Sequence, residues 1–130
     1  MDCLFCKIAN GEIPSEIIYE DDLITCFLDI EPETNGHTLI VPKKHILNYH
    51  DLNDDTLLHI QKIVKKLYPM YQEKLHCDGL TLSNNAYSAQ NVKHYHLHFI
   101  PRYKNDGVKY LSNQDILKDI KEIKSILKKL

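Results

Sequence analysis

Residues 94–100 read His-Tyr-His-Leu-His-Phe-Ile. On a β-strand, residues two apart share a face. His94, His96 and His98 therefore project to one side, and Tyr95, Leu97 and Phe99 to the other. One His on a strand is ordinarily a hydrogen-bonded surface residue. Three at period two, opposite an apolar face, are poorly explained that way. Two chemistries suit them. One is a metal site with three His ligands. The other is a phosphate-processing site, in which one imidazole attacks phosphorus and another donates to phosphate oxygens. The preceding loop, Asn84-Asn85-Ala86-Tyr87-Ser88-Ala89-Gln90-Asn91, is rich in amides and small residues. Such a loop can present N–H donors to an anion.

The chain has four Cys, Cys3, Cys6, Cys26 and Cys77, and eight His. Nothing at the N-terminus resembles a secretory signal, since no basic region precedes a long apolar stretch. The expected compartment is the cytoplasm, where thiols or metal ligands are expected rather than a disulfide framework. Cys26 and Cys77 stand alone and read as core residues. Cys3 and Cys6 form a C-x-x-C pair. The net charge of −2 argues against an electrostatic nucleic-acid binder. No apolar run approaches the ~20 residues of a membrane span. At 130 residues, 43% of them apolar, the chain has room for one globular domain and little more.

The elements that must position these groups are legible in outline. Residues 4–10 predict a short helical turn closed by Gly11. Ile17 to Tyr19 and Leu23 to Leu28 read as two strands around Glu20-Asp21-Asp22. Glu31 to Gly36 is a loop. His37 to Val41 reads as a third strand stopped by Pro42. Asn53 caps a helix with Asp54 and Asp55 in its first turn. Its stripe is Leu57, Ile60, Val64, Leu67, Tyr71 and Leu75. Pro69 is expected to kink or divide this helix near Leu67–Tyr68. Gly79 marks the exit, and Gly79 to Ser83 form a fourth strand. Lys93 to Ile100 make a fifth, ended by Pro101. Asn113 is expected to cap a last helix with Ile116, Ile120, Ile123, Leu127 and Leu130 on one stripe. That stripe would pack on its own domain or on a partner subunit. A membrane-surface role fits it less well, because its polar face carries acids too. The expected organisation is one domain over 1–110 and a helical extension over 111–130.

These blocks together resemble the histidine-triad (HIT) family, whose signature is His-x-His-x-His followed by two apolar residues. The likeness includes "GEIPSEIIYEDD" at 11–22, "FLDIEPETNGHTLIVPKKHI" at 27–46 and "HYHLHFIPR" at 94–102. It covers roughly 4–103, with the flavour of the Hint-type or bacterial HIT branch. The resemblance implies an α+β fold: a five-stranded antiparallel sheet with helices, pairing into a homodimer with a continuous ten-stranded sheet. It implies hydrolysis or transfer at the α-phosphate of a purine nucleotide conjugate, of adenosine phosphoramidate or dinucleoside polyphosphate type. By the same resemblance His96 is the nucleophile and His98 donates to the phosphate or leaving group. The His94 carbonyl holds the other nitrogen of His96. Asp29 matches the carboxylate that binds the ribose hydroxyls, which suits its two acceptor oxygens. On residue type alone it is a turn Asp before Pro32. Asn84, Gln90 and Asn91 match phosphate-holding positions. Leu4, Phe5, Ile8, Ile13, Phe27 and Ile30 match the nucleobase pocket, and His37 a buried His beside the triad. The family loop usually carries Gly-Gln-(Ser/Thr) where this chain has Ala89-Gln90-Asn91. The Trp-Pro-Pro-Gly ending of eukaryotic Hint proteins is absent. A nucleotide-binding scaffold with incidental turnover is the alternative to an enzyme.

The resemblance also bears on the Cys pair. Cys3, Cys6, His45 and His94 would make a Cys₂His₂ set, of the softness and number suited to tetrahedral zinc. Several bacterial HIT proteins and the related galactose-1-phosphate uridylyltransferases place a structural zinc this way. His94 would then bind metal beside the nucleophile without being the attacking residue.

Overall fold

The computed structural model describes residues 3–127. Leu130, the last position of the expected C-terminal stripe, lies outside the described residues, as do Met1 and Asp2. The elements follow in the order α1 (Leu4–Ala9), β1 (Ile17–Glu20), β2 (Ile24–Leu28), β3 (Thr38–Pro42), α2 (Asp54–Leu75), β4 (Gly79–Ser83), β5 (Leu97–Arg102) and α3 (Ile120–Leu127). The strands form one five-stranded sheet, β1-β2-β3-β5-β4, antiparallel throughout. This is the α+β architecture expected from the sequence.

Alternation along the central strands sorts the two faces. Ile24, Cys26, Ile40, Leu97 and Phe99, with Tyr95, share a core with Ile60, Ile63, Val64, Leu67 and Tyr71 of α2. Phe27, Leu39 and Val41 turn the other way, towards Cys3, Phe5, Ile8 and Ala9 at α1. His98 is opposite Leu39 in the β3–β5 pairing, so it belongs to this second face.

α2 begins where expected. Asn53 accepts the Thr56 N–H at 2.8 Å, and Asp54 and Asp55 occupy the first turn. The helix then runs unbroken through Pro69, so the expected division does not occur. Proline removes the bond to the carbonyl four residues back, here that of Lys65. Lys65 and Pro69 are both exposed, so water can satisfy the freed group. The exit is set by His76, which takes the left-handed conformation at φ +60°, and Gly79 instead opens β4. One glycine is obligatory. A side chain at Gly36, φ +90°, would meet Leu75 Cδ1 at 2.7 Å and Pro101 Cγ at 3.3 Å.

Two further expectations need correction. His37 precedes β3 rather than opening it. β5 starts at Leu97, not Lys93, and continues through Pro101 to Arg102. Upstream of Leu97 the partners run out. β4 ends at Ser83, and Pro42 has no N–H to give. The Tyr95 N–H instead finds the Ile46 carbonyl at 2.6 Å.

The C-terminal segment also differs. It is pinned as far as Tyr110. There Arg102 lies over the ring, 5.6 Å from its centroid, and the Tyr110 hydroxyl donates to Glu33 Oε1 at 3.0 Å. Asn113 caps only a single 3₁₀ turn, Gln114–Ile116, and the helix proper begins at Ile120. Asp119 accepts the Lys121 N–H at its start. Ile116, Leu117, Ile120, Ile126 and Leu127 are all more than half exposed. Within one chain the stripe therefore does not pack on its own domain.

Candidate active site and metal centre

α1 brings Cys3 and Cys6 to one end of the site. Cys3 is the N-cap, and its sulfur accepts the Cys6 N–H at 3.3 Å. Cys6 Sγ lies 3.2 Å from His45 Nδ1 and 3.3 Å from His94 Nδ1, and Cys3 Sγ lies 3.3 Å from the same His94 nitrogen. All four donor atoms fall within 4.8 Å of one another. A zinc tetrahedron of two sulfurs and two nitrogens has N···S edges of about 3.5 Å, so the residues present fit such an ion. Burial, then the neighbouring Cys3, push the Cys6 thiol up to about 11. Cys6 therefore keeps its proton unless a cation displaces it.

Hydrogen-bond geometry fixes the ring protons. His94 Nε2 faces the Pro42 carbonyl at 2.8 Å. A carbonyl only accepts, so Nε2 carries the proton and Nδ1 offers its lone pair to the cysteines. His96 Nδ1 lies 2.8 Å from the His94 carbonyl. The same logic puts its proton on Nδ1 and leaves Nε2 a free lone pair. Asn84 Nδ2 donates to the His96 carbonyl at 3.0 Å, and the Phe5 ring stands edge-on to His96 at 5.0 Å between centroids.

A second chain starts at the Glu33 N–H, which donates to His37 Nδ1 at 3.0 Å. His37 therefore holds its proton on Nε2, which lies 2.9 Å from His98 Nδ1 and 3.6 Å from Asp29 Oδ2. It donates to His98, which leaves the His98 proton on Nε2. Burial lowers the pKa of His37, His94 and His98. For His98 the neighbouring His96 and His37 act in the same direction. All three are neutral near pH 7, as these tautomers require.

Asp29, His37 and His98 also lie close enough to suggest a cation site. The proton argument opposes it. A metal on His37 Nε2 would force the proton to Nδ1, against the Glu33 N–H. Among the described residues His94, His96 and His98 do not bring their ring nitrogens together at metal-binding distance; His94 joins the cysteine cluster, and His98 lies with His37 and Asp29. Their Nδ1 atoms engage three different partners: the cysteine pair, a backbone carbonyl and His37.

A family model for the HIT domain matches residues 10–105. The chain belongs to the HIT family. It is 46% identical over 128 residues to an uncharacterized HIT-like protein of Methanocaldococcus jannaschii, covering 94% of this chain and 98% of that one. It is 36% identical over 102 residues to the adenosine 5′-monophosphoramidase of Schizosaccharomyces pombe, covering 78% of this chain and 75% of that one. Among solved structures it resembles a zinc-bound histidine triad family protein from Mycobacterium smegmatis. The TM-score is 0.79 and the identity 36%, over 88% of this chain and 85% of that one.

The remaining residues singled out in this HIT protein divide. Phe5, Ile8 and Phe27 are buried together, with Ile13 partly buried against them. Leu4 is half exposed and Ile30 is 92% exposed, so the structure does not bring these two into that cluster. Asp29 lends Oδ1 to the Glu31 N–H at 2.9 Å, the turn role its residue type suggested, and keeps Oδ2 towards His37. Gln90 is buried and donates Nε2 to the Leu47 carbonyl at 2.7 Å, while Asn91 is exposed. The backbone partners at Glu33, Pro42 and Leu47 have no signature in sequence, since every residue type carries the same carbonyl and almost every type the same N–H.

These proton positions can be checked by long-range ¹⁵N–¹H correlation spectra at pH 7.5. We expect His96 to carry its proton on Nδ1, and His37, His94 and His98 on Nε2. A His98 proton on Nδ1 would refute the assigned chain.

Proposed function

We propose that this protein is a HIT-type nucleotide hydrolase or transferase. It would cleave purine nucleotide conjugates at the α-phosphate, with adenosine phosphoramidates or dinucleoside polyphosphates as the substrate class, in the cytoplasm. The observation that carries this reading is the 2.8 Å contact from His96 Nδ1 to the His94 carbonyl. It leaves Nε2 as a neutral nucleophile of fixed orientation. In this mechanism Nε2 attacks the α-phosphorus. A P–N bond forms, the bond to the leaving group breaks, and the proton on His98 Nε2 passes to the departing atom. Water then cleaves the nucleotidyl-His96 intermediate and returns the proton to His98.

The other roles follow in the same proposal. Asp29 Oδ2 meets the ribose hydroxyls, and Phe5, Ile8, Phe27 and Ile30 meet the base. Asn84, Gln90, Asn91 and His98 surround the phosphate, Asn84 and Gln90 partly by holding backbone in place. The monophosphoramidase activity of the fission-yeast relative supports the substrate class. Cys3, Cys6, His45 and His94 would hold a structural zinc, as the zinc-bound mycobacterial relative suggests. When bound, the ion would cross-link α1 to the 42–47 loop and the triad segment.

The body would run to Tyr110, with 111–130 as an extension, and two bodies would pair. In the single chain β4 is an open edge, and Leu82 on it is 41% exposed. Open edges are normally covered or paired. Pairing β4 with its two-fold copy would give the ten-stranded sheet, and the exposed stripe of the extension would lie against that dimer. Among the described residues no helix is long and apolar enough to cross a membrane.

Three measurements test these proposals. His96→Ala should lower turnover of an adenosine phosphoramidate by several orders of magnitude while AMP still binds, because only the attacking atom is removed. Wild-type turnover by this variant would rule out the nucleophile, and absence of turnover in the native protein would favour the scaffold alternative. Elemental analysis of untagged protein should find about one zinc per chain, and Cys6→Ser should lose most of it. Metal-free protein with freely reactive Cys3 and Cys6 would remove that claim. Sedimentation at micromolar concentration should show a dimer, weakened by truncation after Tyr110. A monomer would exclude the paired sheet.

A further inference from the structure

Residues 45–50 connect β3 to α2, yet nearly every one of them meets a different part of the site. His45 Nδ1 lies 3.2 Å from Cys6 Sγ. The Ile46 carbonyl accepts the Tyr95 N–H at 2.6 Å. The Leu47 carbonyl accepts Gln90 Nε2 at 2.7 Å. Asn48 Oδ1 accepts the Tyr87 N–H at 3.1 Å. His50 Nδ1 lies 2.6 Å from the Tyr87 hydroxyl, with the two rings 17° from parallel. The segment is a strap, fixed at one end to the cysteine cluster and at the other to the 84–91 loop.

Tyr87 shows that the strap imposes a conformation. Its φ is +56°, in the left-handed region that a bulky side chain avoids. Such a residue persists only where its surroundings over-determine it. Asn48 holds its N–H and His50 its ring. Global stability does not explain these ties. Asn48 is half-buried, and His50 and Tyr87 are exposed. Bonds in such places contribute little to the stability of the fold as a whole. The loop they fix contains Gln90 and Asn91, which the proposed function sets around the phosphate.

We infer that Asn48 is a positioning residue that acts through Tyr87, setting the 84–91 loop so that its donors are in place before the substrate phosphate arrives. The inference rests on the proposed function. An acceptor on residue 48 holds the Tyr87 N–H, the loop keeps one conformation, and binding does not have to order it. The chemistry at His96 is untouched, so the effect falls on binding rather than on the chemical step.

The test compares wild type, Asn48→Ala, Asn48→Asp and Tyr87→Phe in the full chain. KM and kcat are measured with an adenosine phosphoramidate, AMP binding by calorimetry, and exchange of the Tyr87 amide by NMR. Asn48→Ala should raise KM and the AMP Kd by about 5- to 30-fold, the effect of one lost hydrogen bond, with kcat within about two-fold. The Tyr87 amide should exchange faster. Asn48→Asp keeps an acceptor and should recover most of the loss. Tyr87→Phe, which leaves Asn48 alone, should show a smaller rise in KM. If wild type binds and cleaves while Asn48→Ala keeps wild-type KM and Kd, the strap has no positioning role and the proposed function stands. A fall in melting temperature with unchanged KM would likewise reduce it to a structural tie. If wild type neither binds AMP nor cleaves, the reading of the site fails first, and this inference with it.

Discussion

The site depends on where one proton sits. The His96 ring has two nitrogens, and only the one without a proton has a lone pair to offer. The His94 carbonyl accepts from Nδ1 at 2.8 Å and so leaves Nε2 bare. For that carbonyl to hold its direction, His94 must be held too. Its ring is fully buried and bound on both nitrogens, by the Pro42 carbonyl on one side and the two cysteine sulfurs on the other. A buried imidazole with a bare nitrogen would lose the free energy of an unmade hydrogen bond. Here both are engaged, so the residue that orients the His96 ring has one stable pose. The cysteine cluster and His96 are in this sense one structure, joined through a single residue.

The His98 side of the site solves the same problem differently. No carbonyl holds its Nδ1. Another imidazole does, and that imidazole is oriented by the Glu33 N–H. The backbone donor sits on the loop that closes at Gly36, whose φ of +90° favours glycine. Thus the proton on His98 is traced through His37 to a loop whose path is fixed by packing against α2. Burial keeps both rings neutral by disfavouring the cation. A charged His37 would also need a proton on Nδ1, where the Glu33 N–H already points. Desolvation and hydrogen-bond geometry therefore push in one direction.

Much of this was legible in the residues. The period-two His pattern identified which side chains share a face, and the apolar residues between them did turn to the α2 core. The motif order carried the family, and the strand count followed. What could not be read was where regular pairing stops. The alternation in 93–100 looks like one strand, but pairing needs a partner with an N–H, and Pro42 ends it at Leu97. Pattern reasoning sees side chains and is blind to the backbone bonds that decide such ends. Pro69 misled for a related reason. Its cost depends on whether the freed carbonyl can reach water, which is a property of the fold. The C-terminal stripe kept its period, but its helix begins seven residues after Asn113. Ile30 was placed with the pocket residues by likeness, yet in the single chain it stands almost wholly in solvent.

The division of labour between the two faces follows from this. The α2 face is a continuous apolar core, where alternation and helical period agree and each position can be guessed from its type. The α1 face carries the candidate site, and there the same sheet presents Phe27 and Leu39 beside His98. A buried imidazole on such a face keeps its orientation through a polar partner on at least one nitrogen. The partners here are the Pro42 carbonyl at the end of β3, the His94 carbonyl just upstream of β5, and the His37 ring. Because β5 leaves regular pairing upstream of Leu97, the His94 carbonyl lies outside the ladder and is available to the His96 ring. Irregular backbone beside the triad thus goes with the proton position of His96. Its cost is met by ties such as those from Ile46 and Leu47, which return the displaced segments to partners of their own.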